Sequence, residues 1–403
     1  MSGGERVDVL VAGGGVAGLA ATAAFAAAGF RTLCVDPAPP VTEAGADGAD
    51  LRTTAFLAPS VALLERSGLW ARLAPHAAAL RVMRIADAGG AEPGIRASAD
   101  FRAEEIGAEA FGYNLPNWLL RREMVAHLAG LERAELRAGV AVTGFTPRLE
   151  AALVRLSDGS RVTARLAVAA DGRDSFLRAA AGIGARRWSY GQKAVVFSVT
   201  HPLPHDDVST EIHRSGGPFT LAPLPDVEGV HRSAVVWMEA GPRAAELAAL
   251  PVPEFEMELD ARSCGVLGDL RLVGRRLVWP IIAQAADRLD GPRLALAAEA
   301  AHVVPPIGAQ GLNMSLADIG ALVDLAAAAR AAGEDFGGAG TLARYDRTRR
   351  PEMLARIAGV DLLNRASIAG WPALRDARLA GLRALHGVAP VRRTAMRLGL
   401  GAR

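Results

Sequence analysis

The chain predicts an α/β fold, a doubly wound parallel sheet interrupted by an antiparallel sheet domain and closed by a helical segment. Three observations carry that expectation. Residues 7–12, Val-Asp-Val-Leu-Val-Ala, feed Gly13-Gly14-Gly15-Val16-Ala17-Gly18 and then an alanine-rich run to Gly29. Residues 166–170 and 293–298 return as short apolar strands, each followed by a loop and a helix-like stretch. Between them, residues 190–239 break into short apolar or alternating runs separated by Pro, Gly, His and Asp, the texture of antiparallel sheet.

The first of these segments is a dinucleotide fingerprint in its proper context, because a strand feeds the glycines and a helix leaves them. Gly13 permits the sharp turn, Gly15 lets the backbone approach a pyrophosphate, and Gly18 allows close helix–strand packing. Val16 and Ala17 stand at the helix N-terminus, where free N–H groups and the positive dipole end point at the ligand. The second strand, Thr32-Leu33-Cys34-Val35-Asp36, ends on an acid placed to accept from an adenosine ribose. Residues 9–30 carry no charge and so have the composition of a membrane span or signal. The glycine spacing and the strand that follows argue against that reading. The fingerprint alone leaves NAD and FAD both open.

At 403 residues the chain has room for two or three domains. A formal net charge of +2 gives no global reason to expect a nucleic-acid partner. Lys193 is the single lysine, and the two cysteines, Cys34 and Cys264, are far apart. That spacing argues against a disulfide framework, a zinc site and a thiol redox centre, and for a reducing cytoplasm.

After Asp36 comes a loop rich in Pro, Gly and Ala, then Asp50-Leu51-Arg52-Thr53-Thr54-Ala55 and a helical pattern with Ser60 as its N-cap. Arg52 reads either as a surface charge or as a phosphate or flavin contact. Residues 80–102 are turn-rich and resemble sheet more than helix. A helix follows Pro116-Asn117 and carries Arg121 and Arg122, of which one is placed to face a cofactor. Ser157-Asp158-Gly159-Ser160 is a hairpin turn. Asp171-Gly172 instead ends an interior strand, where loops of open α/β sheets bind ligands. Finally Glu299 to Asn313 runs from a buried strand through Pro and Gly into a long helix, a second anion-friendly terminus.

Three signals now stand in order: the glycines at 13–18, Ala-Asp-Gly-Arg-Asp-Ser-Phe-Leu-Arg at 170–178, and Ala-Glu-Ala-Ala-His-Val-Val-Pro-Pro-Ile-Gly-Ala-Gln-Gly-Leu-Asn at 298–313. Together they resemble the class A flavin monooxygenases, the superfamily of para-hydroxybenzoate hydroxylase. Residues 50–55, 190–194 and 218–224 look most like its ubiquinone-biosynthesis hydroxylases. The resemblance implies a Rossmann-like FAD-binding domain of the GR2 type, in three parts at 1–80, 103–185 and 286–370. It implies a sheet excursion at 81–102, an inserted antiparallel β-sheet substrate domain at 186–285, and a basic helical tail at 371–403.

The same resemblance assigns residues. Gly13, Gly15 and Gly18 would hold the FAD pyrophosphate and Asp36 the ribose, while Arg52 and Arg121 would contact flavin or phosphate. Asp171 and Gly172 match a motif implicated in FAD and NAD(P)H binding. Glu299 would meet the ribityl chain, and Pro306, Gly308, Gln310, Gly311, Leu312 and Asn313 would line the flavin. The family's usual Gly-Asp is here Ala298-Glu299, one methylene longer. His302 is expected to be structural, not a catalytic base.

The activity the resemblance implies is aromatic hydroxylation with FAD, NAD(P)H and O2 through a flavin hydroperoxide, with a polyprenyl phenol of ubiquinone biosynthesis as the expected substrate. The alternatives are a soluble phenolic or secondary-metabolite substrate, or a non-catalytic FAD-binding subunit of a quinone-biosynthesis assembly. Because the flavin carries the chemistry, no protein residue is singled out as catalytic, and no metal cluster is evident. Phe197, Val199, Phe219 and Trp237 are candidate substrate contacts or core residues of the inserted sheet. The tail at 371–403 holds seven arginines against Asp376, interleaved with leucines. Such a segment caps a domain or lies on an anionic membrane, so the expected location is the cytoplasm, with peripheral contact at the inner face of the cytoplasmic membrane and a multiprotein quinone-biosynthesis complex as a further possible partner.

Overall fold

The computed structural model describes residues 5–89, 94–214, 216–368, 380–381 and 386–400. Residues 371–379, 382–385 and 401–403 of the basic tail lie outside them.

Glu5–Ala12 is the hub of the first sheet. It pairs in parallel with Thr32–Asp36 on one side and Arg161–Ala169 on the other. Ala134–Ala138 and Leu294–Leu296 extend the parallel core at its two ends. The central strands are apolar almost without alternation because both faces of the sheet are covered. Helix Val16–Ala27 packs on it, with eleven of its residues buried on every side, mostly alanines that let neighbouring helices approach closely. The charge-free stretch at 9–30 is therefore a core strand and a core helix. Gln310–Ala331 is likewise long and apolar enough to cross a membrane, but most of it is buried inside the protein.

A second eight-stranded sheet gathers the strands of the inserted region together with three from outside it. Its order runs His302–Val303, Arg271–Ala286, Ala185–His201, Val230–Ala240, Pro218–Val227, Val208–His213, Val82–Asp87 and Ala97–Arg102. Most pairings are antiparallel; Val82–Asp87 joins Val208–His213 in parallel. One face packs on helices Gly241–Ala249 and Val252–Ser263 around Phe197, Phe219, Trp237, Phe255 and Leu259. The other face meets the first domain at Ile307 and Val360, through Ala194, Val196, Met238 and Ile281. A small sheet of Thr53–Leu57, Gly112–Pro116 and Ala78–Leu80 closes the side, and Asn114 Nδ2 donates to Pro223 O at 2.8 Å.

Three local readings change. Ser60 is not the cap: helix Ala58–Arg66 starts from Leu57, and the Ser60 hydroxyl donates to Asn313 Oδ1 at 2.6 Å. The strand read at 293–298 shrinks to Leu294–Leu296, because Arg293 and Ala298 both adopt positive φ. The described part of the tail, helix Ala389–Leu400, is not wholly solvated. Met396 is buried with Ala99, Phe101 and Phe111, and Arg392 pairs with Glu105 at 2.5 Å.

Candidate cofactor and substrate site

The three motif segments converge on one cleft. Gly13 adopts φ +110°, and a Cβ there would overlap the carbonyl oxygen of Ala170. Across the cleft, Arg173 Nε donates to Glu299 Oε2 at 3.2 Å, and Arg178 Nη1 donates to Ala300 O at 2.9 Å. Strand ends thus bring residues 13, 170–178 and 299–300 together although 287 positions separate the first from the last.

The glycine loop is held from below and open above. Gly14 N donates to Asp36 Oδ2 at 2.5 Å, while Asp36 Oδ1 accepts from Ala38 N at 2.9 Å. A Cβ at Gly15 would meet nothing within 4 Å. Gly15 caps helix Val16–Ala27 with no side-chain hydrogen bond, and the first turn holds no acid. The N–H groups there, including those of Val16, Ala17 and Gly18, include donors with no intrahelical acceptor, arranged for an anion.

Two of the predicted residues each keep one buried polar atom without a hydrogen-bond partner. Arg121, on helix Asn117–Leu128, reaches to 3.8 Å from Asp50 Oδ2 and keeps its buried Nε unbonded. Asp171 Oδ2 accepts from Leu177 N at 3.1 Å, whereas its buried Oδ1 has no donor. Burial pushes the Asp171 carboxyl above its ordinary range. Gly172 beside it has φ +85° and open space over it. Orphaned buried polar atoms are rare in folded proteins. A dinucleotide offers donors to Asp171 and anionic oxygens to Arg121 and the helix terminus, so the residues fit FAD.

Arg52 is built into an ion-pair cluster that the sequence did not disclose. Its Nε and Nη2 donate to Asp50 at 2.8 and 2.7 Å, and Asp50 also accepts from Asn117 Nδ2 at 3.0 Å. Burial opposes ionisation of Asp50, but the Arg52 and Asn117 bonds outweigh it and keep the carboxyl below its ordinary value. The Arg52 guanidinium lies 4.3 Å from the Trp279 ring centroid and feels the Glu299 carboxylate. It thereby stands where the cofactor cleft meets the second sheet.

The 302–313 segment divides by role. His302 Nε2 and Arg349 Nε both bond Asp318, each at 2.7 Å and all buried, so the histidine locks the loop to helix Gln310–Ala331. Asn313 is saturated: it accepts from Leu57 N and Ser60 Oγ and donates to Ala55 O and Ala309 O. Gln310 bonds Gly308 O, Gly399 O and Arg356. These two side chains therefore shape the loop, and what they leave for a ligand is backbone. Gly308 and Ala309 take φ +60° and +55°, which turns the chain into an uncapped helix N-terminus. Gly311 and Leu312 lie in its first turn, and Pro306 precedes it beside Ile307.

Of the two roles left open for the four substrate candidates, their packing favours the core of the inserted sheet. Phe197, Val199, Phe219 and Trp237 are at most 2 % exposed and pack under helices Gly241–Ala249 and Val252–Ser263, on the face turned away from the cleft. Strand residues alternate faces, so their neighbours Val196, Thr220, Val236 and Met238 look toward Ile307 instead.

Fold and site define an FAD-dependent monooxygenase, and residues 6–357 match the family model described as FAD binding domain, FAD_binding_3; the chain belongs to that family. Among curated relatives, ubiquinone hydroxylase UbiL of Rhodospirillum rubrum is 35 % identical over 396 residues, covering 98 % of this chain and 89 % of that one. The 3-demethoxyubiquinol 3-hydroxylase of Escherichia coli is 26 % identical over 98 % and 99 % of the two chains. Among solved structures, p-nitrophenol 4-monooxygenase PnpA of Pseudomonas putida superposes with a TM-score of 0.79 at 20 % identity, over 99 % of each chain, a likeness of fold.

Proposed function

We propose that the protein hydroxylates the ring of a polyprenyl phenol in ubiquinone biosynthesis, with NAD(P)H and O2 as co-substrates. The observation that carries this reading is the apolar face that the second sheet turns toward the 304–309 loop, where Ala194, Val196, Met238 and Ile281 pack with Ile307 and Val360. An apolar face of this kind beside the flavin loop suits a prenylated ring and keeps water from the reacting atoms. Relatives named as ubiquinone hydroxylases support the same substrate class.

In this reading, FAD supplies the redox step when bound, accepting hydride equivalents and passing one oxygen atom of O2 to the ring. The chain's own residues do the rest. Gly15 and the N–H groups after it receive the pyrophosphate, Asp36 the ribose, and Arg121 and Asp171 complete the cradle. Backbone at 308–312 borders the flavin ring, Glu299 with Arg173 the ribityl chain, and Arg52 the junction with the substrate. Profiling quinone intermediates by mass spectrometry in a deletion strain tests the assignment. Accumulation of one prenylated phenol supports it, and an unchanged quinone pool refutes it.

A bilayer-resident substrate calls for a route to the membrane. Leu362 and Leu363 are exposed on the turn of helix that carries Arg365, and Val388, Val391 and Leu398 are exposed nearer the C-terminal end. Exposed apolar residues flanked by cations favour peripheral contact with anionic lipid. Co-sedimentation with anionic vesicles should fall on Leu362→Asp with Leu363→Asp; equal partitioning removes this part of the reading.

A further inference from the structure

The C-terminal helix and the 302–310 loop meet end to end. Helical periodicity puts Arg392, Met396 and Gly399 of helix Ala389–Leu400 within about 60° of one another, on one face. All three touch the body of the protein. Arg392 Nε and Nη2 donate to Glu105 Oε2 at 2.8 and 2.5 Å. Met396 is buried with Phe101 and Phe111. Gly399 O accepts from Gln310 Nε2 at 3.2 Å. Val391 and Leu398 lie away from that face and are exposed. The last carbonyls of a helix have no acceptor duty within it and look for donors outside. Here the donor comes from the first residue of helix Gln310–Ala331. The negative end of one helix dipole thus lies beside the positive end of the other, a favourable junction.

The Gln310 side chain is fixed by its partners. Nε2 donates to Gly308 O at 2.8 Å as well as to Gly399 O, and Oε1 accepts from Arg356 Nη1 at 2.8 Å. That set leaves the amide one orientation, since a flip would turn its oxygen toward two carbonyls and its NH2 toward a guanidinium. Arg356 is braced in turn by Glu352 at 3.2 Å, and Glu352 accepts from Arg349 at 2.6 Å. Arg349 bonds Asp318, the acid that holds His302. The loop is therefore pinned at both ends, at His302 through Asp318 and at Gly308 through Gln310. Beside the second pin stands Ala309, a residue with a Cβ at φ +55°. Backbone in that region keeps its shape only where its surroundings over-determine it. One of the restraints that does so comes from the tail.

Resting on the reading above that backbone at 308–312 borders the flavin, we propose that helix Ala389–Leu400 is a working part of the cofactor site, with Gln310 as the positioning residue through which it acts. Docked, the Gly399 carbonyl holds the Gln310 amide, and the amide holds the Gly308 carbonyl. The N–H groups at the start of helix Gln310–Ala331 then keep one orientation toward the ring. Undocked, the amide turns to water and the loop carries its strained residue with one restraint fewer. A segment 89 positions further along the chain thus sets how tightly FAD is held.

The test uses the full chain and reads FAD affinity by flavin fluorescence, together with the visible absorption band of the bound flavin, which reports the groups around its ring. Arg392→Glu and Met396→Asp each undock the helix at a residue away from the loop. Arg392→Glu with Glu105→Arg restores the ion pair with its charges exchanged. Loss of one hydrogen bond from the support of the loop should weaken FAD binding about 3- to 10-fold in either undocking variant, with a shifted band, and the exchanged pair should recover both. Gln310→Ala should show the same loss, and adding Arg392→Glu to it should weaken binding no further, because residues acting in series are non-additive. Affinity or band unaltered in both undocking variants overturns the inference and leaves the hydroxylase reading standing. So does a loss in Arg392→Glu that adds in full to that of Gln310→Ala. If Gln310→Ala does not fold, the exchanged pair decides: recovery supports the inference, and a loss it does not recover overturns it. An unaltered protein that takes up no FAD overturns the cofactor reading beneath it.

Discussion

Two glycines two positions apart separate what the fold needs from what the cofactor needs. Gly15 has φ −70°, comfortable for any residue, and a Cβ there meets nothing within 4 Å. Gly15→Ala should leave the flavin-free protein within about 0.5 kcal/mol of the original stability. If the pyrophosphate lies against that backbone, a methyl displaces it and removes one charge-assisted hydrogen bond, worth about 1.5–3 kcal/mol. FAD affinity then falls roughly 10- to 150-fold. Gly13→Ala is the contrast, because its φ is +110° and its Cβ would run into Ala170. Strain of about 1–3 kcal/mol and overpacking of about 1–3 kcal/mol destabilise the protein with or without ligand. With an unfolding entropy of about 2.1 cal/mol/K per residue, that sum lowers Tm by roughly 2–7 °C if the chain melts as one unit. Differential scanning fluorimetry and FAD titration by flavin fluorescence read the two effects. A Gly15→Ala protein that binds FAD as tightly as the original, or a Gly13→Ala protein with unaltered flavin-free Tm, would refute the reasoning.

Other expectations are equally specific. Asp318→Ala leaves Arg349 and His302 buried without their shared partner, a cost of about 3–5 kcal/mol, and should lower Tm and loosen FAD together, since the 302–309 loop loses its tie. Phe197→Ala should cost about 3–5 kcal/mol in thermal stability without altering preference among prenyl phenols, whereas Val196→Ala should shift KM across chain lengths at little cost in Tm; a reversed pattern would move the substrate to the other face. Asp361 is pulled down to about 2, first by its hydrogen bond from Arg365 and then by Tyr190 and Trp188, against burial. A depressed carboxyl stabilises the fold above its ordinary 3.8 and loses that contribution as pH falls through about 2. Chemical denaturation should therefore find the gap between the original and Asp361→Asn constant from pH 5 to 8 and closing below pH 4.

The class of fold was readable because the glycine loop, the Asp-Gly turn and the 298–313 segment each follow a strand and precede a helix, a local pattern that survives without tertiary context. Faces of the second sheet were not. Val195, Val196, Phe197 and Val199 are all apolar, since both sides of that strand are covered, and an unbroken apolar run does not say which parity looks where. Only helices Gly241–Ala249 and Val252–Ser263, packed under Phe197 and Trp237, decide it. Asp50 escaped notice for a related reason: its partners Arg52 and Asn117 are far apart in the chain, and the clamp exists only once strand Thr53–Leu57 pairs with Gly112–Pro116.

Sheet order also sets a timetable for the ribosome. Glu5–Ala12 emerges first, yet its neighbour Arg161–Ala169 and the next strand out, Leu294–Leu296, are synthesised much later. At about 5–20 residues per second, roughly 15–60 s pass before residue 296 exists. Through that interval an apolar strand edge waits unpaired, and the prosthetic group has only one wall to bind. Loading must therefore come after synthesis, and a message truncated before residue 313 yields a client for chaperones in place of a feeble enzyme.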